Sequence, residues 1–185
     1  MNRFFAIALL LAAALSPAAA QPNKRPNIVF IISDDQRWDT LGAAGNPAVH
    51  TPVLDRLARE GVYFRQATVH IPQCAPNRAT LLTGLPPHRH GYFSNQTQRP
   101  DVKRPDGFGK APLLPGLLRD AGYRTVLVGK WHVKPDPWNC GFSDVRTWLP
   151  GGSAPYRDVP MAHGNTRKKT VEPGFTNQVF ADSAV

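Results

Sequence analysis

The chain has 185 residues, 42% of them hydrophobic and 19% charged, which suits one modest globular domain. Its formal net charge is +9 at pH 7, a balance that favours anionic partners. The basic residues are scattered apart from residues 167–169, and there are no repeats, so the pattern argues against a nucleic-acid-binding or repeat protein.

The first twenty residues have the pattern of a secretory signal peptide. Arg3 is followed by an apolar stretch over residues 4–15 and by three alanines that end at Ala20. The apolar stretch is shorter than the ~20 residues that a membrane-spanning helix needs. We therefore expect cleavage before Gln21, export to a periplasm or the outside, and no membrane association afterwards. Loss of Arg3 lowers the charge from +9 to +8, and exported chains seldom meet nucleic acid.

Residues 27–32 form a continuous β-branched and aromatic run, which predicts a strand buried on both faces. The run is followed at once by Asp34 and Asp35. Ligands of open α/β sheets bind beyond the carboxyl ends of strands, so the two carboxylates could hold a hard cation such as Ca²⁺ if the chain turns there. A solvated turn with a helix cap explains an Asp pair equally well.

The next elements are a helix and a second strand. Thr51 and Pro52 have the residue types of an N-cap and a first helical position, and Gly61 suits the end of that helix. Residues 62–69 predict a strand that leads into a cysteine-containing segment, residues 73–84.

Cys74 precedes a predicted helix that has Pro76 in its first turn and Gly84 as its stop. A side chain at a helix N-terminus lies where unpaired N–H groups favour an anion, and Arg78 is one turn away on the same face. The segment therefore predicts an anion-handling site. A half-buried thiol with no reactivity is the alternative, and a disulfide between Cys74 and Cys140 remains open in an exported chain.

The loop over residues 86–91 contains His88 and His90. Two histidines at this spacing are weak evidence for zinc, and we interpret them, together with His70, as hydrogen-bonding loop residues. Residues 95–110 predict a surface loop.

A helix over residues 113–120, stopped by Gly122, precedes a strand predicted over residues 123–128. Lys130 and His132 follow, and they share a face if the strand continues. An ammonium beside an imidazole can hold an anion and manage a proton. A surface lysine and a packed histidine are the alternative. Later aromatic residues, Trp138, Phe142 and Trp148, could line a sugar or aryl pocket, but packing under a long loop is the more common role. Residues 175–185 begin a helix.

Three of these segments resemble the type I sulfatases. Cys74, Pro76 and Arg78, followed by Leu-Leu-Thr-Gly, resemble the modification signature of that family, with Asn77 where serine is most common. The Gly-Lys-Trp-His run that ends at His132 resembles a second signature, and a strand ending in Asp-Asp a third. The resemblance implies an α/β, alkaline-phosphatase-like fold with a central, largely parallel sheet flanked by helices, and it makes residues 21–185 the N-terminal part of a sulfatase catalytic domain.

The resemblance also implies hydrolysis of sulfate esters on a sulfated small molecule or glycan. A formylglycine-generating or sulfatase-maturating enzyme would oxidise Cys74 to Cα-formylglycine, whose hydrate is the nucleophile. The implied Ca²⁺ ligands, with Mg²⁺ as an alternative ion, are Asp34, Asp35 and the converted Cys74. The implied catalytic residues are Cys74, Arg78, Lys130 and His132.

The family completes its metal site with a downstream acidic motif, and residues 163–165 lack the paired acid. We therefore expect an N-terminal portion of a longer enzyme that, by itself, binds metal poorly and turns over little or nothing. Two alternatives remain: a phosphodiesterase or phosphonate hydrolase on the same scaffold, and a non-catalytic anion- or glycan-binding remnant with an unmodified thiol.

Overall fold

The computed structural model describes residues 25–95, 108 and 110–185. The predicted signal peptide and most of the predicted loop over residues 95–110 lie outside these ranges. The described residues belong to two units, residues 25–37 and residues 38–185. No helix in the described part of the chain is long and apolar enough to cross a bilayer.

The described part of the first unit, residues 25–37, is irregular and exposed. It bends at Asp34 and Asp35, and Asp35 adopts the left-handed conformation with φ 51°. The strand predicted over residues 27–32 is therefore wrong, and Val29 is 81% exposed. A β-branched run becomes a strand only when another strand pairs with its backbone, and no described strand pairs with this one.

The second unit contains a four-stranded sheet in the order β1-β2-β3-β4. The strands are β1 (Val126–Lys130), β2 (Asp144–Leu149), β3 (Arg157–His163) and β4 (Lys169–Phe175). β1 and β2 are parallel, whereas β2–β3 and β3–β4 are antiparallel, so the sheet is mixed. Together with the helices around the sheet, this arrangement confirms the predicted α/β class.

The first strand begins three residues later than predicted and continues to Lys130. Its pairing with β2 starts at Val126, opposite Asp144. The N–H of Tyr123 instead donates to the carbonyl oxygen of Leu118, so Tyr123 still belongs to the end of the preceding helix.

The helices are α1 (Pro52–Glu60), α2 (Cys74–Thr83), α3 (Pro87–His90), α4 (Leu114–Asp120) and α5 (Thr176–Ala184), with 3₁₀ turns at Gly42–Ala44 and Pro137–Cys140. The helices predicted from Pro52, around Cys74, over residues 113–120 and from residue 175 are confirmed. The strand predicted over residues 62–69 is wrong, because this stretch is exposed and unpaired with any described strand.

The larger core cluster contains aromatic residues from the second half of the chain. Trp148 is fully buried and meets Trp138 edge-to-face, with ring centroids 5.6 Å apart. Trp131 meets Phe142 in the same way at 5.8 Å. Packing is therefore their role, as the sequence indicated.

Cys140 lies in the same cluster and is 2% exposed. Burial raises the pKa of its thiol to about 12, with a further contribution from Asp136. Both Cys74 and Cys140 are free thiols, so the disulfide left open by the sequence is not formed.

Candidate active site

Cys74 is the first residue of α2. Gln73 before it is extended, with φ −133°, and Pro76 occupies the first turn, where its missing N–H costs nothing. Ala75, Pro76 and Ala79 are buried and attach the helix to the core. Cys74 itself is half-buried, at the end of the helix where aligned peptide dipoles favour negative charge.

Lys130 reaches Cys74 from the end of β1. Its Nζ donates to Sγ of Cys74 at 3.2 Å. Arg78 also connects α2 to β1, because its Nη1 donates to the carbonyl oxygen of Lys130 at 2.8 Å. The structure thus brings Lys130 to Arg78 and Cys74, which lie 52 and 56 positions earlier in the sequence.

The guanidinium of Arg78 therefore connects α2 to the end of β1. A guanidinium carries five N–H donors in a planar fork, and the bond to Lys130 uses one of them. A lysine at position 78 would lack this fork geometry.

His132 is placed by a turn instead of a strand. β1 ends at Lys130, and His132 has φ 59°, in the left-handed region, so alternation along a strand does not orient it. Its Nδ1 is buried. Gly152 lies directly against the imidazole, because a Cβ at that position would fall on the ring. The two motif residues, Lys130 and His132, are therefore held by different neighbours.

His90 is a structural histidine inside the fold. Its Nδ1 accepts the N–H of Tyr92 at 3.1 Å, and its Nε2 lies 3.0 Å from Oγ1 of Thr80. Burial lowers the pKa of His90 below the usual 6.5, which keeps the ring neutral. The interpretation of His90 as a hydrogen-bonding residue is confirmed. His70 and His88 are exposed.

Sequence reasoning missed Asn95. Its Oδ1 accepts the N–H of Ala75 at 2.7 Å, and its own N–H donates to Oε1 of Gln73 at 3.0 Å. Asn is a favoured helix cap, but a cap normally lies next to its helix, and this one comes from 20 residues further along the chain.

Asp34 and Asp35 lie at the bend of the first unit, and their metal role stays a prediction. Carboxylate oxygens are suitable donors for Ca²⁺ or Mg²⁺. However, the described residues contain no group of three or more His, Cys, Asp or Glu side chains that could hold a metal ion. The donor type fits, and the donor set is incomplete.

A sequence model of the sulfatase family matches residues 26–181, nearly the whole chain. The chain belongs to the sulfatase family. The chain is 41% identical to the N-acetylgalactosamine-6-sulfatase of Mus musculus over 134 residues, which cover 70% of this chain.

Two solved structures have a similar fold. One, a complex of a protein with its substrate D-glucosamine-2-N,6-O-disulfate, matches 87% of this chain with a TM-score of 0.74 and 31% identity. Another, the phosphonate monoester hydrolase of Agrobacterium radiobacter, matches 68% with a TM-score of 0.56 and 31% identity. The chain spans 26% of the length of the mouse relative, 30% of the first structure and 26% of the second.

Proposed function

We propose that this sulfatase-family protein hydrolyses sulfate esters at Cys74. The observation that carries the proposal is the hydrogen bond from Lys130 Nζ to Cys74 Sγ at a helix N-terminus. Any group that replaces the thiol of Cys74 would lie beside the cationic donor of Lys130 and at the helix N-terminus, where the helix dipole favours negative charge. Such a setting suits a reaction whose nucleophile and product are anions.

Conversion of Cys74 to Cα-formylglycine would supply a hydrated aldehyde, one hydroxyl of which serves as nucleophile while the other allows sulfate to leave. Lys130 would stabilise the negative charge that develops beside position 74. Removal of one such preorganised donor typically lowers kcat by about 10²–10³-fold. Arg78 would hold Lys130 in register through its carbonyl and add positive charge, and His132 would orient or protonate the leaving alcohol.

The proposed metal is Ca²⁺, with Mg²⁺ as an alternative, held by Asp34, Asp35 and the oxygen that replaces the Cys74 sulfur. Ca²⁺ takes about six to eight oxygen ligands, and two carboxylates with one further residue supply only part of that set. We therefore expect weak Ca²⁺ binding by these 185 residues in calorimetric titration. Tight stoichiometric binding would contradict this expectation.

The proposed substrate is a sulfated small molecule or glycan, consistent with the disulfated glucosamine bound by the structural relative. A formylglycine-generating or sulfatase-maturating enzyme is the partner that the chemistry requires. Residues 1–20 would direct the chain to the periplasm or the outside and be removed there.

Mass spectrometry of the peptide that contains Cys74 is the first test. Conversion replaces the CH₂SH group by CHO, so the peptide loses H₂S and gains one oxygen. The converted chain, given excess Ca²⁺ because its metal ligands are incomplete, should then release sulfate slowly from an aryl sulfate. A thiol that alkylates fully, with no aldehyde after coexpression with a maturation enzyme, would support the non-catalytic remnant instead.

A phosphonate or phosphodiester hydrolase is the second candidate, favoured by the similarity to the phosphonate monoester hydrolase. The same cations would bind either tetrahedral anion. Paired assays with an aryl sulfate and the matching aryl phosphonate separate the two, because the ratio of kcat/KM values reports the preferred anion directly.

A further inference from the structure

We propose that residues 92–95 position both halves of the candidate site, with Asn95 acting on Cys74 and Tyr92 acting on His132. Neither residue needs to touch substrate, so both are positioning residues. The inference depends on the proposed function only for its effect on turnover.

Asn95 acts on the first turn of α2. The first N–H groups of a helix lack carbonyl partners, and the side chain of Gln73 makes no capping bond to its own helix. Asn95 replaces that bond, because its Oδ1 accepts the N–H of Ala75 at 2.7 Å. In addition, Oε1 of Gln73 accepts the backbone N–H of Asn95 at 3.0 Å. The residues on both sides of Cys74 are therefore bonded to one residue, Asn95, through its side chain and its backbone N–H.

Tyr92 acts on the turn that carries His132. Its hydroxyl donates to the carbonyl oxygen of Lys134 at 3.0 Å and accepts the N–H of the same residue at 3.0 Å. Tyr92 is 3% exposed, and its ring lies 5.6 Å from that of Phe108. A buried hydroxyl that satisfies both backbone groups of Lys134 fixes the chain two residues after His132.

The segment is itself anchored to the cysteine helix. The N–H of Tyr92 donates to Nδ1 of His90, whose Nε2 lies 3.0 Å from Oγ1 of Thr80 in α2. Cys74 and the His132 turn therefore share one support. A displacement of about 1 Å in such a constellation can cost about 10²-fold in rate, which is why a support without substrate contact affects catalysis.

Three variants of the full chain test the inference, with one matched control. Asn95→Leu removes the side-chain acceptor and keeps the backbone N–H, Asn95→Asp keeps an acceptor oxygen, and Tyr92→Phe removes only the hydroxyl. Tyr156→Phe is the control, because Tyr156 is 86% exposed.

Amide hydrogen exchange provides a readout that needs no activity. Asn95→Leu should accelerate exchange at Ala75 about fivefold, the ratio expected for loss of a typical helix cap, and Asn95→Asp should restore the wild-type rate. Tyr92→Phe should accelerate exchange at Lys134, and Tyr156→Phe should change neither amide. Equal rates at Ala75 in wild type, Asn95→Leu and Asn95→Asp would overturn the inference.

Kinetics provide the second readout. Normalised to the converted fraction of Cys74, Asn95→Leu and Tyr92→Phe should lower kcat for an aryl sulfate with little change in KM, and Asn95→Asp should recover kcat. Unchanged kcat in both variants, despite altered exchange, would overturn the link to catalysis. If wild-type protein with Cys74 converted and with excess Ca²⁺ hydrolyses no sulfate ester, the proposed function fails for these 185 residues. The exchange rates still decide whether residues 92–95 fix the two turns.

Discussion

Gly152 offers a sharp test of how His132 is held. A Cβ added at Gly152 would fall on the imidazole ring of His132, whereas a Cβ added at Gly151 would meet nothing closer than the carbonyl oxygen of Ser153 at 4.0 Å. Neither glycine is among those with positive φ, so alanine is allowed by the backbone at both positions. Gly152→Ala and Gly151→Ala therefore differ in the contact with His132.

The expected magnitude follows from that difference. Replacing a glycine by alanine at a compatible position stabilises a protein by about 0.4–1 kcal/mol, because the unfolded chain loses freedom. This contribution is common to both variants and cancels when they are compared. Overpacking against a held ring costs about 1–3 kcal/mol, so Gly152→Ala should be less stable than Gly151→Ala by that amount.

Two measurements check the prediction. Urea unfolding gives the free-energy difference between the variants, and NMR of the histidine ring protons reports the position of His132. If the imidazole of His132 moves to make room for the new Cβ in Gly152→Ala, the loss of stability becomes smaller and the NMR signals of His132 shift. Equal stability of the two variants together with unmoved His132 signals would refute the packing of Gly152 on the ring.

Three further predictions concern Lys130, His90 and Cys140. Lys130→Met removes the ammonium that lies 3.2 Å from Sγ of Cys74 and should lower kcat for sulfate esters about 10²–10³-fold at an unchanged converted fraction, whereas wild-type kcat would contradict the role of Lys130. Burial lowers the pKa of His90 below 6.5 in the folded chain. At pH values below 6.5 the unfolded chain therefore binds more protons than the folded chain, and the free energy of unfolding should fall as the pH drops. In urea unfolding over a pH series, His90→Asn, which keeps an acceptor for the N–H of Tyr92, should flatten this decline; an identical slope would assign it to other groups. Burial raises the pKa of Cys140 to about 12, so iodoacetamide at about pH 8 should label it only after unfolding, and rapid labelling of the native protein would contradict its burial.

The helix that carries Cys74 could be predicted because its signals are local. Pro76 in the first turn and Gly84 at the end, which adopts φ 67°, act within a few residues of the helix itself. The same holds for the helix that begins at Pro52 and ends before Gly61. The residues that start and end a helix lie next to it in the sequence, so the bounds of these helices can be predicted from a single sequence.

The strands and the supports of the site depended on distant residues. Residues 27–32 and 62–69 have strand composition but no described pairing partner, whereas β2, β3 and β4 form by mutual pairing in segments that carried no clear signal. The bond from Arg78 to the carbonyl oxygen of Lys130 and the cap from Asn95 to Ala75 span 52 and 20 positions. Local sequence patterns cannot predict such hydrogen bonds, because the tertiary fold determines which distant residues meet.

The exposed run at residues 27–32 has a practical consequence for handling the protein. It is a six-residue segment that is rich in β-branched and aromatic side chains and has neither charge nor proline. Segments of this composition form the dry, interdigitated zippers of cross-β fibrils when they remain uncovered. Protein in which residues 27–32 stay uncovered is therefore expected to be prone to fibril formation. A single lysine introduced within these residues would oppose it by charge repulsion between stacked copies.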